Sequence, residues 1–201
     1  MQKELSIVLR NRIKALPFID VLAGLAQTLT RQVAVNEGAS FITEKEPVSN
    51  DVRGTENQGK QISMVPNSQR KSLIYFEDRN GVQPGDDGEG SYKCTMRLVC
   101  WMNKANLVGD PYANITGRCV AALNQAICSQ HKKANIFHDL NVTFAGTPVQ
   151  DAGIFSRYTY KETDRQYLRP PYEFFAIDYL CKFSVDPNCL SEIDWNIKVC
   201  Y

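Results

Sequence analysis

Residues 170–185, PPYEFFAIDYLCKFSV, alternate large apolar side chains with smaller or polar ones over most of their length. Two prolines open the stretch, so the chain enters it extended and not helical. Asp186, Pro187 and Asn188 supply a turn signal at its end. Side chains alternate across a strand, which places Phe175, Ile177, Tyr179, Cys181, Phe183 and Val185 on one face. The other face carries Phe174, Ala176, Asp178, Leu180, Lys182 and Ser184, apolar at its start and polar at its end. The pattern predicts a central strand, buried on one face and half covered on the other.

Ahead of that strand, residues 2–32 read as helix, broken once at Pro17. Leu5, Val8, Leu9, Ile13 and Leu16 recur at near-helical spacing, and the apolar stretch Ile19 to Leu29 reads as a second, short helix running to Thr30. Residues 33–70 are less regular. VAVNEG, SFITEKEPV and QISMVP read as short strands, and NDVRGTENQGKQ as an exposed loop. SLIYFED predicts a strand, RNGVQPGDDGEG a long turn, and SYKCTMRLVCWMN a long antiparallel return with Tyr92, Cys94, Met96, Leu98, Cys100 and Met102 on its core face. GDPYANITGRCVAALNQAICSQH predicts a helix whose apolar stripe is Ile115, Cys119, Ala122, Leu123, Ala126 and Ile127. HDLNVTFAG and DWNIKVCY read as strands, while IFSRYTYKETDRQYL is open between an irregular strand and a loop with a helical turn. The expected fold class is α+β: a mostly antiparallel sheet with a long β-hairpin and helices packed on one face. Residues 1–201 form one domain in this reading, with a less regular insertion at about 36–70.

Composition narrows the function classes. A formal net charge of +1 argues against general electrostatic binding of nucleic acid. No apolar run approaches the roughly 20 residues needed to span a bilayer, so no membrane partner is expected. The first residues lack the apolar core and cleavage site of a signal peptide, and the chain is read as made and kept in a cytoplasm. None of the seven cysteines lies in a Cys-x-x-Cys pair and only two histidines are present, so a metal site has little support. Cys94 and Cys100 share a strand face too far apart to bond each other, and with Cys119, Cys128 and Cys181 they read as reduced thiols, mostly in the core. Cys189 and Cys200 sit in less ordered contexts.

The search for chemistry returns no catalytic residue and no cofactor. GVQPGDDGEG precedes a strand and is not followed by Gly-Lys-Ser/Thr, so it does not cradle a phosphate. Its acids do not match a calcium loop either. His131 reads as a surface histidine near a helix C-terminus. His138 and Asp139 are neighbours in a strand and face opposite sides. Asp178 suits a cross-strand pair with Lys or Arg better than a catalytic role. Tyr158, Tyr160 and Tyr167 with Arg157, Lys161, Arg165 and Arg169 form an aromatic and basic run, the composition of single-strand binders and of protein interfaces. Glu162 and Asp164 inside the run favour the interface. The hairpin also points to an interface, because the twelve residues from Tyr92 to Asn103 span roughly 40 Å at ~3.3 Å each. One end is expected to project and to be ordered by a neighbour. The candidate subunit-interface residues are therefore Asp78, Asp86, Asp87 and Glu89 at the hairpin tip, with Arg157, Tyr158, Tyr160, Arg165 and Tyr167. Contacts are expected from the tip between Asp78 and Gly90 and from residues 36–70 and 156–170.

In element order the chain resembles the tail-terminator and head–tail connector (tail completion) proteins of tailed bacteriophages. LSIVLRNRIKAL, the pair YKCTMRLVCWMN and YANITGRCVAALNQAI, and YEFFAIDYLCKFSV carry the resemblance, while residues 36–70 and 146–170 exceed a minimal version of that fold. The resemblance implies a structural virion protein without catalysis, assembled in the host cytoplasm. It implies a self-associated ring, commonly a hexamer, joining tail-tube proteins to a connector or portal. DNA would pass through its channel without specific binding, past Asp86, Asp87 and Glu89. Two other classes remain open from sequence: a nucleic-acid-binding or processing factor using His138, Asp139 and the Tyr/Arg run, and a monomeric α+β ligand-binding domain.

Overall fold

A computed structural model describes residues 1–35, 40–52, 61–86, 90–128, 130–134, 136–160 and 168–185. Residues 53–60 of the expected loop, Asp87, Glu89, Arg165, Tyr167, Cys189, Cys200 and the expected strand DWNIKVCY lie outside the described residues.

The fold is α+β and its sheets are mostly antiparallel, as the sequence predicts. The elements are α1 (Gln2–Ile13), β1 (Val21–Leu25), β2 (Gln27–Val35), β3 (Ser40–Ser49), β4 (Ile62–Ser63), β5 (Ser72–Asp78), β6 (Gln83–Pro84), β7 (Ser91–Asn103), α2 (Lys104–Val108), α3 (Thr116–Ile127), β8 (Gln130–Ala134), β9 (Phe137–Phe144) and β10 (Tyr172–Val185). A seven-stranded sheet runs β1-β5-β7-β10-β9-β8, with β6 pairing on β7, and a three-stranded sheet runs β2-β3-β4. The central strand is β10, antiparallel to β7 on one side and to β9 on the other.

The large sheet is buried on both faces at one end. Its first face packs Cys94, Met96, Leu98, Cys100 and Met102 with Phe175, Ile177, Tyr179, Cys181 and Phe183 under α1 and α3, which add Leu5, Leu9, Ile13, Cys119, Leu123 and Ile127. Of the predicted helix stripe, Cys119, Leu123 and Ile127 are buried, Ile115 and Ala126 pack at its margin and Ala122 lies outside the core, while both predicted strand faces turn to it, with Tyr92 partly buried. Tyr179 reaches through this layer to donate its hydroxyl to Asn124 Oδ1 of α3 at 2.7 Å. The second face carries Leu73, Tyr75, Val99, Trp101 and Ala176, covered by Met64, Ile154, Phe155, Tyr158 and Tyr160.

Several sequence expectations are corrected. Residues 21–29 are strand, not a second helix: β1 pairs in parallel with β5 and continues into β2 after Ala26. β1 sends Leu22 to the first core and Ala23 to the second, so it is apolar on both sides and its periodicity does not separate strand from helix. Gly24 marks a close approach: a Cβ there would stand 2.4 Å from Asp51 Oδ2 and 3.1 Å from Ser6 Oγ. α3 ends at Ile127, four residues short of His131, which lies on β8 opposite Leu140 of β9. α2, capped by the Asn103 side chain and closed by Gly109 at φ +74°, has no counterpart in the sequence reading. The length of β7 is matched by a partner strand, and residues 87–89 of the hairpin tip lie outside the described residues. β10 pairs along all of β7, from Tyr172 opposite Asn103 to Ser184 opposite Ser91, and Phe183 packs on Tyr92 and Phe137 at the far end.

Phe183→Ala should lower unfolding free energy by roughly 3–5 kcal/mol, as measured by denaturant titration. A loss typical of a surface residue would refute its core placement.

Cys94, Cys100, Cys119, Cys128 and Cys181 are free thiols. Burial pushes the Cys119 thiol up to about 11 and holds the Cys100 thiol well above its ordinary value. An acid raised in the folded state binds its proton more tightly when native. Its stabilisation is complete below the unfolded thiol value of about 8.5 and is lost as pH rises through the folded one. Melting temperature should therefore hold level up to about pH 8.5 and fall above it, and thiol counting in denaturant should return free thiols at Cys94, Cys100, Cys119 and Cys181. A melting temperature that rises above about pH 9 would contradict the protonated, buried thiols.

Candidate functional site

The ribbon of β2 and β3 is the part of the molecule that the core does not explain. Its strands pair antiparallel from Gln27 opposite Val48 to Val35 opposite Ser40. The inner half is held: Pro47, Val48 and Ser49 are buried, and Ser49 Oγ donates to Leu25 O at 3.1 Å. Arg31 grips Glu44 at 3.1 Å and Glu46 at 3.6 Å, which lets both carboxylates sit almost wholly buried. Beyond Glu44, residues Ser40 to Thr43 of β3 are all exposed. The alternation puts Ala34 and Phe41 on one face and Val33 and Ile42 on the other. Phe41 is 65% and Ile42 47% exposed. A two-stranded ribbon is marginal in water on its own. Covering two such side chains is worth about 1.5–3 kcal/mol each.

The ribbon is aimed by residues 156–160. Thr159 N donates to Lys45 O and Lys45 N to Thr159 Oγ1, both at 2.9 Å, while Thr159 Oγ1 donates to Thr43 O at 3.2 Å. One residue earlier, the Tyr158 hydroxyl donates to Glu77 Oε1 of β5. Arg157 adds an ion pair to Glu77 Oε2 at 3.4 Å and donates to Thr28 Oγ1 of β2 at 3.2 Å. Burial, followed by the Glu77 charge, raises the Tyr158 hydroxyl far above its usual range, so it stays a donor. Glu77 is 1% exposed and lies opposite Arg97, whose guanidinium forks onto Asp178 at 2.7 and 2.8 Å. The Asp178 hydrogen bonds raise the Arg97 pKa. Glu77, Arg97 and Asp178 thus form an alternating charge row across β5, β7 and β10, and Asp178 takes the cross-strand arginine that sequence reasoning assigned it.

Of the other candidate residues, the two described tyrosines are placed differently from expectation. Tyr158 and Tyr160 are buried in the second core, 4% and 2% exposed, and offer no open ring for stacking a base or a partner. Of that run, Arg157 is exposed, its guanidinium 5.4 Å from the Tyr158 ring centre. Asp78 turns inward, accepting from Gly81 N at 2.9 Å and from Gln2 Nε2 at 3.2 Å. Asp86 pairs with Lys93 at 2.6 Å. His138 and Asp139 sit on β9, Asp139 at φ +49°. Among the described residues no group of three or more His, Cys, Asp or Glu is placed to hold a metal, and no helix is long and apolar enough to cross a membrane. Comparison with protein-family models, curated proteins and solved structures gives no match.

Tyr158→Phe removes one hydrogen bond to a buried carboxylate and should cost about 1.5–3 kcal/mol. Amide exchange at Lys45 and Thr159 should quicken in the same variant. Unchanged exchange there would mean that the Glu77 contact does not hold the ribbon.

Proposed function

We propose that the chain is a structural assembly protein whose copies join into a closed ring, without catalysis or cofactor, and that the ring stands at the head–tail junction or tail-tube end of a tailed bacteriophage. The observation that supports self-assembly is the β2–β3 ribbon, built outward from the core with large apolar side chains exposed on both faces. Extending such a ribbon costs ordering entropy and stabilises the lone subunit little. A neighbouring subunit that covers it supplies the missing burial. The place in a virion rests on the element order of α1, the long β5–β7 hairpin, α3 and β10. In this reading the ring is a hexamer, its faces meet tail-tube and connector or portal proteins, and DNA passes through without specific binding. A net charge of +1 suits dense packing of copies.

Native mass spectrometry and light scattering on the full chain test the reading. A closed oligomer, with six copies as the expected number, supports it. A monomer at every concentration overturns it.

A further inference from the structure

We infer that Cys94 of β7 and Cys181 of β10 are a reversible redox site. A low-molecular-weight disulfide of the glutathione class closes them into a cross-strand disulfide, and the corresponding thiol reopens them. The site is independent of the assembly reading. Among the five described cysteines these two alone face each other in a ladder, Cys181 opposite Cys94. Both side chains belong to the first core and are fully buried, and without an oxidant both are free thiols.

The backbone sets their spacing. Thr95 N donates to Asn80 Oδ1 at 2.8 Å and Thr95 O accepts from Arg79 N at 3.1 Å, both on the β5 side of β7. Its neighbour Cys94 therefore turns its own N–H and carbonyl toward β10. On β10, Ala176 exchanges bonds with Val149 and Asp178 O accepts from Ala145 N, so even-numbered residues bond on the β9 side. Cys181 accordingly bonds toward β7. Partners that exchange both backbone bonds hold their Cα atoms about 5.5 Å apart, inside the ~4.4–6.8 Å that a disulfide spans. Their Cβ atoms stand about 4.5–5.5 Å apart, against roughly 3.8 Å in a relaxed disulfide. The closed bond is strained, and strained disulfides are the ones that thiols reopen. The two thiols also hydrogen-bond to each other. That bond, with burial behind it, holds the Cys181 thiol well above its ordinary value and draws the Cys94 thiol below it. Cys94 is therefore the attacking sulfur.

As a thiolate, Cys94 attacks one sulfur of the oxidant RS–SR, whose S–S bond breaks, and the departing RS⁻ takes up the proton that Cys94 released. Cys181 then gives up its proton and attacks the Cys94 sulfur of the mixed disulfide. The second RS⁻ leaves and takes that proton. Two cysteine thiols are oxidised, and the oxidant is reduced to two RSH. The pair lies three residues from the end of the ladder, where Ser184 faces Ser91, so parting that end is enough to admit the oxidant. Once closed, the bond ties β10 to β7 across the long chain between them, where a crosslink removes most freedom from the unfolded state.

The full chain, incubated with excess oxidised glutathione, then alkylated, digested and mapped by mass spectrometry, tests this directly. The expected product is a peptide pair linked through Cys94 and Cys181, and a further incubation in reduced glutathione should return both as alkylated thiols. The oxidised protein should melt roughly 5–10 °C higher than the reduced one. Cys94→Ser should abolish both the link and the rise, while Cys128→Ser, which removes a partly exposed thiol, should leave both. Free thiols at positions 94 and 181 of the wild-type chain after oxidation overturn the site, as does a link from either to another cysteine. A linked pair that melts no higher, or that reduced glutathione does not reopen, overturns the reversible lock.

Discussion

β10 lies against β7 along all thirteen residues of β7 and contributes alternate side chains to both faces of the large sheet. Everything else in the fold takes its position from that ladder. Its first face, Phe175 through Phe183 beside Cys94 through Met102, sets where α1 and α3 pack. The second face is most apolar toward Tyr172 and Asn103, where Trp101 stacks on Tyr172 at 5.3 Å and Phe155 meets Phe174 edge-on at 5.6 Å. Past Arg97 and Asp178 the same face carries Thr95, Lys93 and Lys182 with a half-buried Leu180 among them, and the described covering residues lie on the other half. A register slip of one residue would send the aromatic rows to the wrong sides and undo both cores.

The boundary between the apolar and polar halves of the second face is the charge row Glu77, Arg97 and Asp178. A buried carboxylate is costly unless its lone pairs are filled. Glu77 is satisfied by Tyr158 and Arg157, which come from the one segment that also binds the ribbon through Thr159. The need to satisfy one carboxylate on β5 is thereby converted into a fixed direction for the ribbon. A leucine in place of Glu77 would fit the core's polarity but would leave Tyr158 and Arg157 without their common partner, and the ribbon without its brace.

How much of this was legible in the sequence depends on the range of the interactions. β7 and β10 could be read because their alternation is strong over more than a dozen residues, and α3 because its stripe recurs every three to four. β1 could not, since five residues buried on both sides carry no period to read. β8 was hidden in what reads as the end of a helix. The ribbon's strands were partly visible as VAVNEG and SFITEKEPV, but nothing in their alternation says that the outer half has no cover. The brace was out of reach altogether: Tyr158 and Glu77 are 81 residues apart, and an aromatic, basic run looks the same whether its rings face solvent or a core.

β10 is the latest strand of the described chain and yet occupies the middle of the large sheet, between β7 and β9. On the ribosome, everything through β9 can therefore emerge as two separate sheet fragments, β1-β5-β7 and β8-β9, with no ladder to join them. The aromatic and aliphatic faces of both stay in contact with solvent or with chaperones until residues 172–185 are made. Non-local pairing of this kind is slow and leaves aggregation-prone edges exposed while it waits. It also acts as a check on length: a product cut short before β10 cannot complete the sheet on which the brace and the ribbon stand, so prematurely terminated chains are kept out of any assembly the full chain makes.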